Sequence, residues 1–114
     1  MSTAWENFLA ATALLASAGP IKNRLMNAYR EHLAGLDDDE LPYEIRDEFS
    51  SLTARMSSVR PMRGETAIQA TVRKMSEREA GTVATRIVSM MGAMAKLQNM
   101  QRPPKLRAVN SHEA

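Results

Sequence analysis

The sequence predicts an all-α fold, a compact bundle of four to five helices followed by a C-terminal tail. Three observations carry that expectation. Apolar residues return every three or four positions from Trp5 to Leu97, the spacing of one helix face. Residues that start and stop helices cut this pattern into segments of helical length. No stretch alternates apolar and polar residues with the two-residue period of a half-buried strand.

Each element has a local cause. Thr3, with Glu6 three residues on, makes a capping box and opens a helix over about 4–18. Its expected buried stripe is Trp5, Phe8, Leu9, Thr12, Leu15 and Ala16. Gly19-Pro20 ends that helix and begins the next, because glycine accepts positive φ and proline suits a first turn. The second helix, about 20–34, places Ile21, Leu25, Ala28, Tyr29, His32 and Leu33 on one side, and Gly35 stops it. An acidic turn, Asp37–Leu41, follows, with Asp38 or Asp39 expected as its cap.

Pro42 opens a third helix to about Ser58. Its apolar positions Leu41, Ile45, Phe49, Leu52, Met56 and Val59 step by 4, 4, 3, 4 and 3. Arg60-Pro61 closes it. Gly64-Glu65 leads into a shorter helix, about 65–74, carrying Ile68, Val72 and Met75. Ser76 and Glu79 form a second capping box and start a long helix to about Asn99. Residues 1–100 are therefore expected to be a single helical-bundle domain. Residues 101–114, with Pro103-Pro104, have no core of their own and are expected to form a flexible or partner-ordered tail.

Composition excludes several classes. The 114 residues suit one domain. The absence of cysteine removes disulfides and thiolate metal sites, and fits a cytoplasmic protein. Residues 7–21 carry no charge, but a membrane span needs about 20 apolar residues, and this run is shorter and rich in alanine. A cleaved leader is not expected either, since Glu6 precedes the run and no Lys or Arg does.

The net charge of +2 conceals a segregation. Residues 31–49 hold eight acids against Arg46, a balance of −7, while residues 53–107 hold eleven bases against Glu65, Glu77 and Glu79, a balance of +8. Such a distribution bears on partners and association, not on fold.

No enzyme is expected. His32 and His112 are the only histidines, and His32 near a helix C-terminus has a sufficient role as a cation against the helix dipole. Nucleophile–base motifs, glycine-rich phosphate loops and His-Glu metal helices are missing. Asp37-Asp38-Asp39-Glu40 lacks the spaced ligands and sharp-turn glycine of a calcium loop. No metal, cofactor or small-molecule substrate is expected.

The last helix carries a small-residue stripe, Gly81, Thr85, Ser89 and Gly92, that permits close backbone approach. Either it is packing inside the bundle or one side of this helix docks another chain. In the second case Ser89, Gly92, Met90 and Met94 are the partner-binding candidates, methionine being flexible and polarizable. The stretch 65–88 also has the outline of a helix-turn-helix, with Ala70 and Val83 suitably placed. Arg73 stands where that motif wants an apolar residue, and Glu77 and Glu79 would meet phosphate.

The basic half supplies the strongest functional clue. Arg55, Arg60, Arg63, Arg73, Lys74 and Arg78 are candidate nucleic-acid contacts, because Lys and Arg neutralise phosphates and release counterions. An ordinary solvated basic surface is the alternative. All five aromatic residues precede residue 50, so the basic half lacks the stacking platforms that grip single-stranded bases. Any nucleic acid, RNA or DNA, is expected to be held by its backbone with little reading of sequence.

A short all-helical chain with an acidic middle and these Arg/Lys-rich later helices resembles the small subunits of CRISPR effector complexes. The resemblance covers about 3–99 and rests on size, helicity and charge, with no diagnostic motif. It implies a non-enzymatic bundle that stacks along a backbone filament and touches guide or target strands through basic surfaces. The leading expectation is thus a helical small subunit of a nucleoprotein assembly, contacting nucleic acid, neighbouring subunits and copies of itself, and no membrane. The rivals are a protein-only adaptor or inhibitor and a homodimeric DNA-binding regulator. Far-ultraviolet circular dichroism should be predominantly helical; the signature of a multistranded sheet would contradict this reading.

Overall fold

The computed structural model describes residues 3–100. Five helices follow one another: α1 (Ala4–Leu15), α2 (Ile21–Ala28), α3 (Arg46–Met56), α4 (Ala67–Lys74) and α5 (Glu77–Met100). The described residues contain no strand. The all-α bundle expected from periodicity is the fold observed.

The capping box of α1 is present: Thr3 Oγ1 accepts from the Glu6 N–H at 3.1 Å, and Glu6 Oε1 accepts from the Thr3 N–H at 3.2 Å. The helix stops three residues short of the expected end. Gly19 turns the chain at φ +108°, and the Arg24 guanidinium donates to the Gly19 carbonyl of the turn and to that of Leu15, an acceptor that the ended helix leaves open.

α2 continues into one π turn, Tyr29–Leu33, closed by the Ala34 N–H on the Tyr29 carbonyl at 2.8 Å. His32 sits half-buried on this turn. A 3-10 turn follows at Asp38–Glu40, and Asp37 occupies its cap, replacing the expected Asp38 or Asp39. Glu40 folds back onto the Asp37 N–H at 3.1 Å, which fixes the position.

The helix expected from Pro42 begins as a 3-10 turn, Tyr43–Ile45, and becomes α-helical at Arg46. It ends at Met56, where Ser57 Oγ donates to the Thr53 carbonyl and Ser58 Oγ to the Arg55 carbonyl. Side chains that bond back in this way compete with helix continuation. α4 starts at Ala67 with Thr66 as its cap, Oγ1 accepting from the Gln69 N–H at 3.0 Å.

One cluster of buried residues draws on all five helices. α5 packs on α1 and α2, while α3 and α4 close the remaining side. Phe8 and Phe49 join α1 to α3 edge to face, with ring centroids 6.0 Å apart and planes at 63°. Leu25, Leu33, Leu52, Met56 and Ile87 are fully enclosed beside them.

The expected face of α1 is corrected. Ala4, Phe8, Ala11 and Leu15 point inward, whereas Leu9 is 48% exposed and Ala16 is also exposed. A stripe centred on Phe8 leaves Leu9 and Ala16 on its flank, because each residue turns the helix by about 100°. No described helix is long and apolar enough to cross a membrane. Leu52→Ala should cost about 2–5 kcal/mol in denaturant unfolding, since it empties an enclosed site. Met62→Ala, at a side chain 62% exposed, should stay within about 0.5 kcal/mol.

Candidate nucleic-acid interface

The basic residues come from three consecutive pieces of chain: the end of α3, the connector 57–66, and the corner between α4 and α5. The connector is held at defined points. The Val59 N–H donates to Thr71 Oγ1 at 3.1 Å, which employs the one fully buried polar side chain of α4. Further on, the Glu65 N–H closes a turn on the Met62 carbonyl at 2.9 Å, with Gly64 at φ +78° in its third position. That conformation suits glycine, and it places Arg63 at the tip of the turn.

The α4–α5 corner is equally well defined. Met75 is extended and buried, ending α4. Ser76 then caps α5: Ser76 Oγ accepts from the Glu79 N–H at 3.0 Å, and Glu79 Oε1 accepts from the Ser76 N–H at 2.8 Å. Lys74 and Arg78 stand exposed on either side of this corner.

The six candidate residues divide into two groups. Arg73 is committed to its own fold, donating through Nε and Nη2 to both carboxylate oxygens of Glu65 at 2.7 and 3.1 Å. Its carbonyl also accepts from Lys22 Nζ at 3.1 Å. The Arg73 guanidinium, helped by the Met62 N–H, holds the Glu65 carboxyl well down, at about 2, and Glu65 raises Arg73 in turn. Arg55 is half-buried and contacts Ser58; its charge adds to the lowering of Glu79, whose main cause is the Ser76 N–H.

The other four, Arg60, Arg63, Lys74 and Arg78, are exposed, and their side chains make no ion pair or hydrogen bond with another described residue. Arg86, outside the candidate set, reaches α3 instead, pairing with Glu48 at 3.4 Å and donating to Ser51 Oγ at 3.0 Å.

Two features here escaped the sequence reading. The Thr66–Gln69 capping box has a readable Thr-x-x-Gln signature. The Glu65–Arg73 pair has none, because eight residues and a helix start separate its members.

The partner-binding candidates also divide. Met90 and Met94 are 2% and 3% exposed and belong to the core, which corrects the expectation that they face a partner. They share the inward face of α5 with Ala80, Val83 and Ile87 at helical spacing. Ser89 and Gly92 lie on the opposite, exposed side. Among the described residues, no group of three His, Asp or Glu is disposed to hold a metal ion.

Comparison with protein-family models, with curated proteins and with solved structures finds no match.

The low Glu65 value makes a signed prediction. A carboxyl depressed in the folded state contributes stability above its ordinary 4.5 and loses it as pH falls toward about 2. Thermal melts should therefore show a smaller drop in Tm across that window for Glu65→Gln than for the unsubstituted chain. Equal drops would mean that the ion pair adds nothing.

Proposed function

We propose that this chain is a non-enzymatic helical subunit of a nucleoprotein assembly, in the manner of the small subunits of CRISPR effector complexes, and that it grips nucleic-acid backbone without reading sequence. The observation that carries the reading is the set of four exposed, unpaired bases, Arg60, Arg63, Lys74 and Arg78, on a defined connector and helix corner. Cations already bonded to acids have less to offer a phosphate. These four are uncommitted, and their backbone is anchored by Thr71, Gly64 and Ser76 as described above.

Guanidinium and ammonium groups supply charge and donors, which position a phosphate backbone and specify no base. The aromatic residues all lie before residue 50, so stacking has no platform in this half. A cytoplasmic location accords with this role and with the cysteine-free composition.

A protein-only adaptor is the second reading. It is favoured by Asp38, Asp39, Glu44 and Asp47, which are exposed and make no ion pair with another described residue. A basic protein partner would suit them. A sequence-specific regulator fits less well, because α5, the would-be recognition helix, is the helix around which the core is packed.

Salt titrations of binding to unrelated oligonucleotides separate these readings. Replacing Lys74 or Arg78 with Ala should flatten the log-affinity versus log-salt slope by about 0.7–0.9 each, by a similar factor on every sequence. Arg73→Ala should change the slope by less than half as much, since its guanidinium serves Glu65. Absence of salt-dependent binding by the unsubstituted chain, alone and in its native complex, would replace this reading with the adaptor.

A further inference from the structure

We infer that the exposed tip 60–63 enters the minor groove of a DNA duplex, with Met62 as an apolar wedge against the base edges and Arg60 and Arg63 turned to the two strands. The inference rests on the nucleic-acid reading above and names the class of nucleic acid that this site takes.

Met62 is the odd residue of the connector. Among the described residues, the two most exposed large apolar side chains are Tyr43 at 81% and Met62 at 62%. Tyr43 has the Arg46 guanidinium 6.0 Å from its ring centroid. Met62 stands in an unbroken exposed run, residues 60–64. Its backbone is nevertheless fixed on both sides. The Met62 N–H donates to Glu65 Oε1 at 3.0 Å, and the Met62 carbonyl accepts from the Glu65 N–H at 2.9 Å. Glu65 is itself locked by Nε and Nη2 of Arg73. Pro61, its φ set by the ring, stiffens the preceding residue. The chain thus holds the main chain of Met62 and presents its side chain outward. A contact prepared in this way has little ordering entropy left to lose on binding.

The charges beside Met62 select the partner. Arg60 and Arg63 flank it, and their side chains make no ion pair or hydrogen bond with another described residue. The acid nearest in sequence, Glu65, is already paired with Arg73. An apolar tip between two uncommitted guanidiniums fits a ligand with phosphates on both sides and base edges between them. A duplex groove has that cross-section. A single strand has one row of phosphates, and its unstacked bases call for aromatic platforms, whereas no Phe, Tyr or Trp follows Phe49.

Groove dimensions decide the rest. Three residues of chain span at most about 10 Å, so the Arg60 and Arg63 side chains can reach both walls of a B-form minor groove about 6 Å wide. The major groove, about 12 Å wide, admits a whole helix and would leave this tip against one wall. In A-form RNA the minor groove is wide and shallow, and the major groove is closed to side chains. The narrow DNA minor groove also concentrates negative potential that draws arginine, and it accepts methionine and proline as wedges between base steps. The Glu65–Arg73 pair ties the tip to the end of α4, which leaves exposed Lys74 for the adjoining phosphates. An apolar wedge tolerates different sequences, as a backbone grip does.

Fluorescence anisotropy of the full chain tests this with three probes: an A·T-centred DNA duplex, the RNA duplex of matching sequence, and one DNA strand alone. The DNA duplex should bind at least tenfold more tightly than either of the others, and netropsin, which fills A·T minor grooves, should compete with the chain. Met62→Ala should weaken DNA-duplex binding at least fivefold, with the salt slope and the circular dichroism spectrum unchanged. Met62→Leu should keep the original affinity, since leucine also serves as a wedge. Equal affinity for the three probes overturns the inference. So does binding indifferent to netropsin, an affinity unchanged by Met62→Ala, or an equal loss with Met62→Leu. In all of these cases salt-dependent binding survives, and the backbone reading with it. Absence of salt-dependent binding to every probe overturns both.

Discussion

Everything in this fold hangs on the inward face of α5. Ala80, Val83, Ile87, Met90 and Met94 form one apolar line along a 24-residue helix, and α1 and α2 pack against it. Burial of such a line is non-directional and proportional to area. Its position on the helix nevertheless dictates what remains outside. The first turn, with Arg78, is left at one corner beside Lys74, and the small-residue flank is left open to solvent. Both are thus consequences of a single packing choice.

The second organising feature is the direction of charge along α3. Its first turn carries Asp47 and Glu48, and its last carries Arg55, the arrangement that complements a helix dipole. The segment before α3 extends the acidic end and the connector after it extends the basic end. The charge segregation of the sequence therefore becomes a spatial one, bridged at a few points. Arg86 reaches Glu48, and Glu79 lies within the influence of Arg55. Bases that have found acids hold elements together; among those that have not, Arg60, Arg63, Lys74 and Arg78 are the ones the proposed function assigns to phosphate.

Much of this was legible in the sequence because it depends on neighbours three or four residues apart. The capping boxes at Thr3 and Ser76, the Gly19-Pro20 break and the apolar steps of α3 all belong to that class. What could not be read depends on contacts between distant residues. Nothing near Leu9 says that it lies outside the α1 stripe; that follows from Phe8 meeting Phe49 of α3. Nothing near Arg73 announces Glu65 as its partner. The methionines illustrate the same point. Met90 and Met94 have side chains as suited to a partner as to a core, and only the packing of α5 on α1 and α2 assigned them inward.

The central claim is that nucleic-acid backbone rests on the connector and the α4–α5 corner, and chemical-shift mapping tests it most directly. The amides of the full chain are followed by NMR while an oligonucleotide of arbitrary sequence is added at low salt, then repeated with an unrelated sequence. The account predicts the same response both times, concentrated over residues 59–66 and 74–79 and reversed by added salt. Perturbations confined to the acidic segment or the α1–α5 face, or a pattern that changes with the sequence supplied, would contradict it.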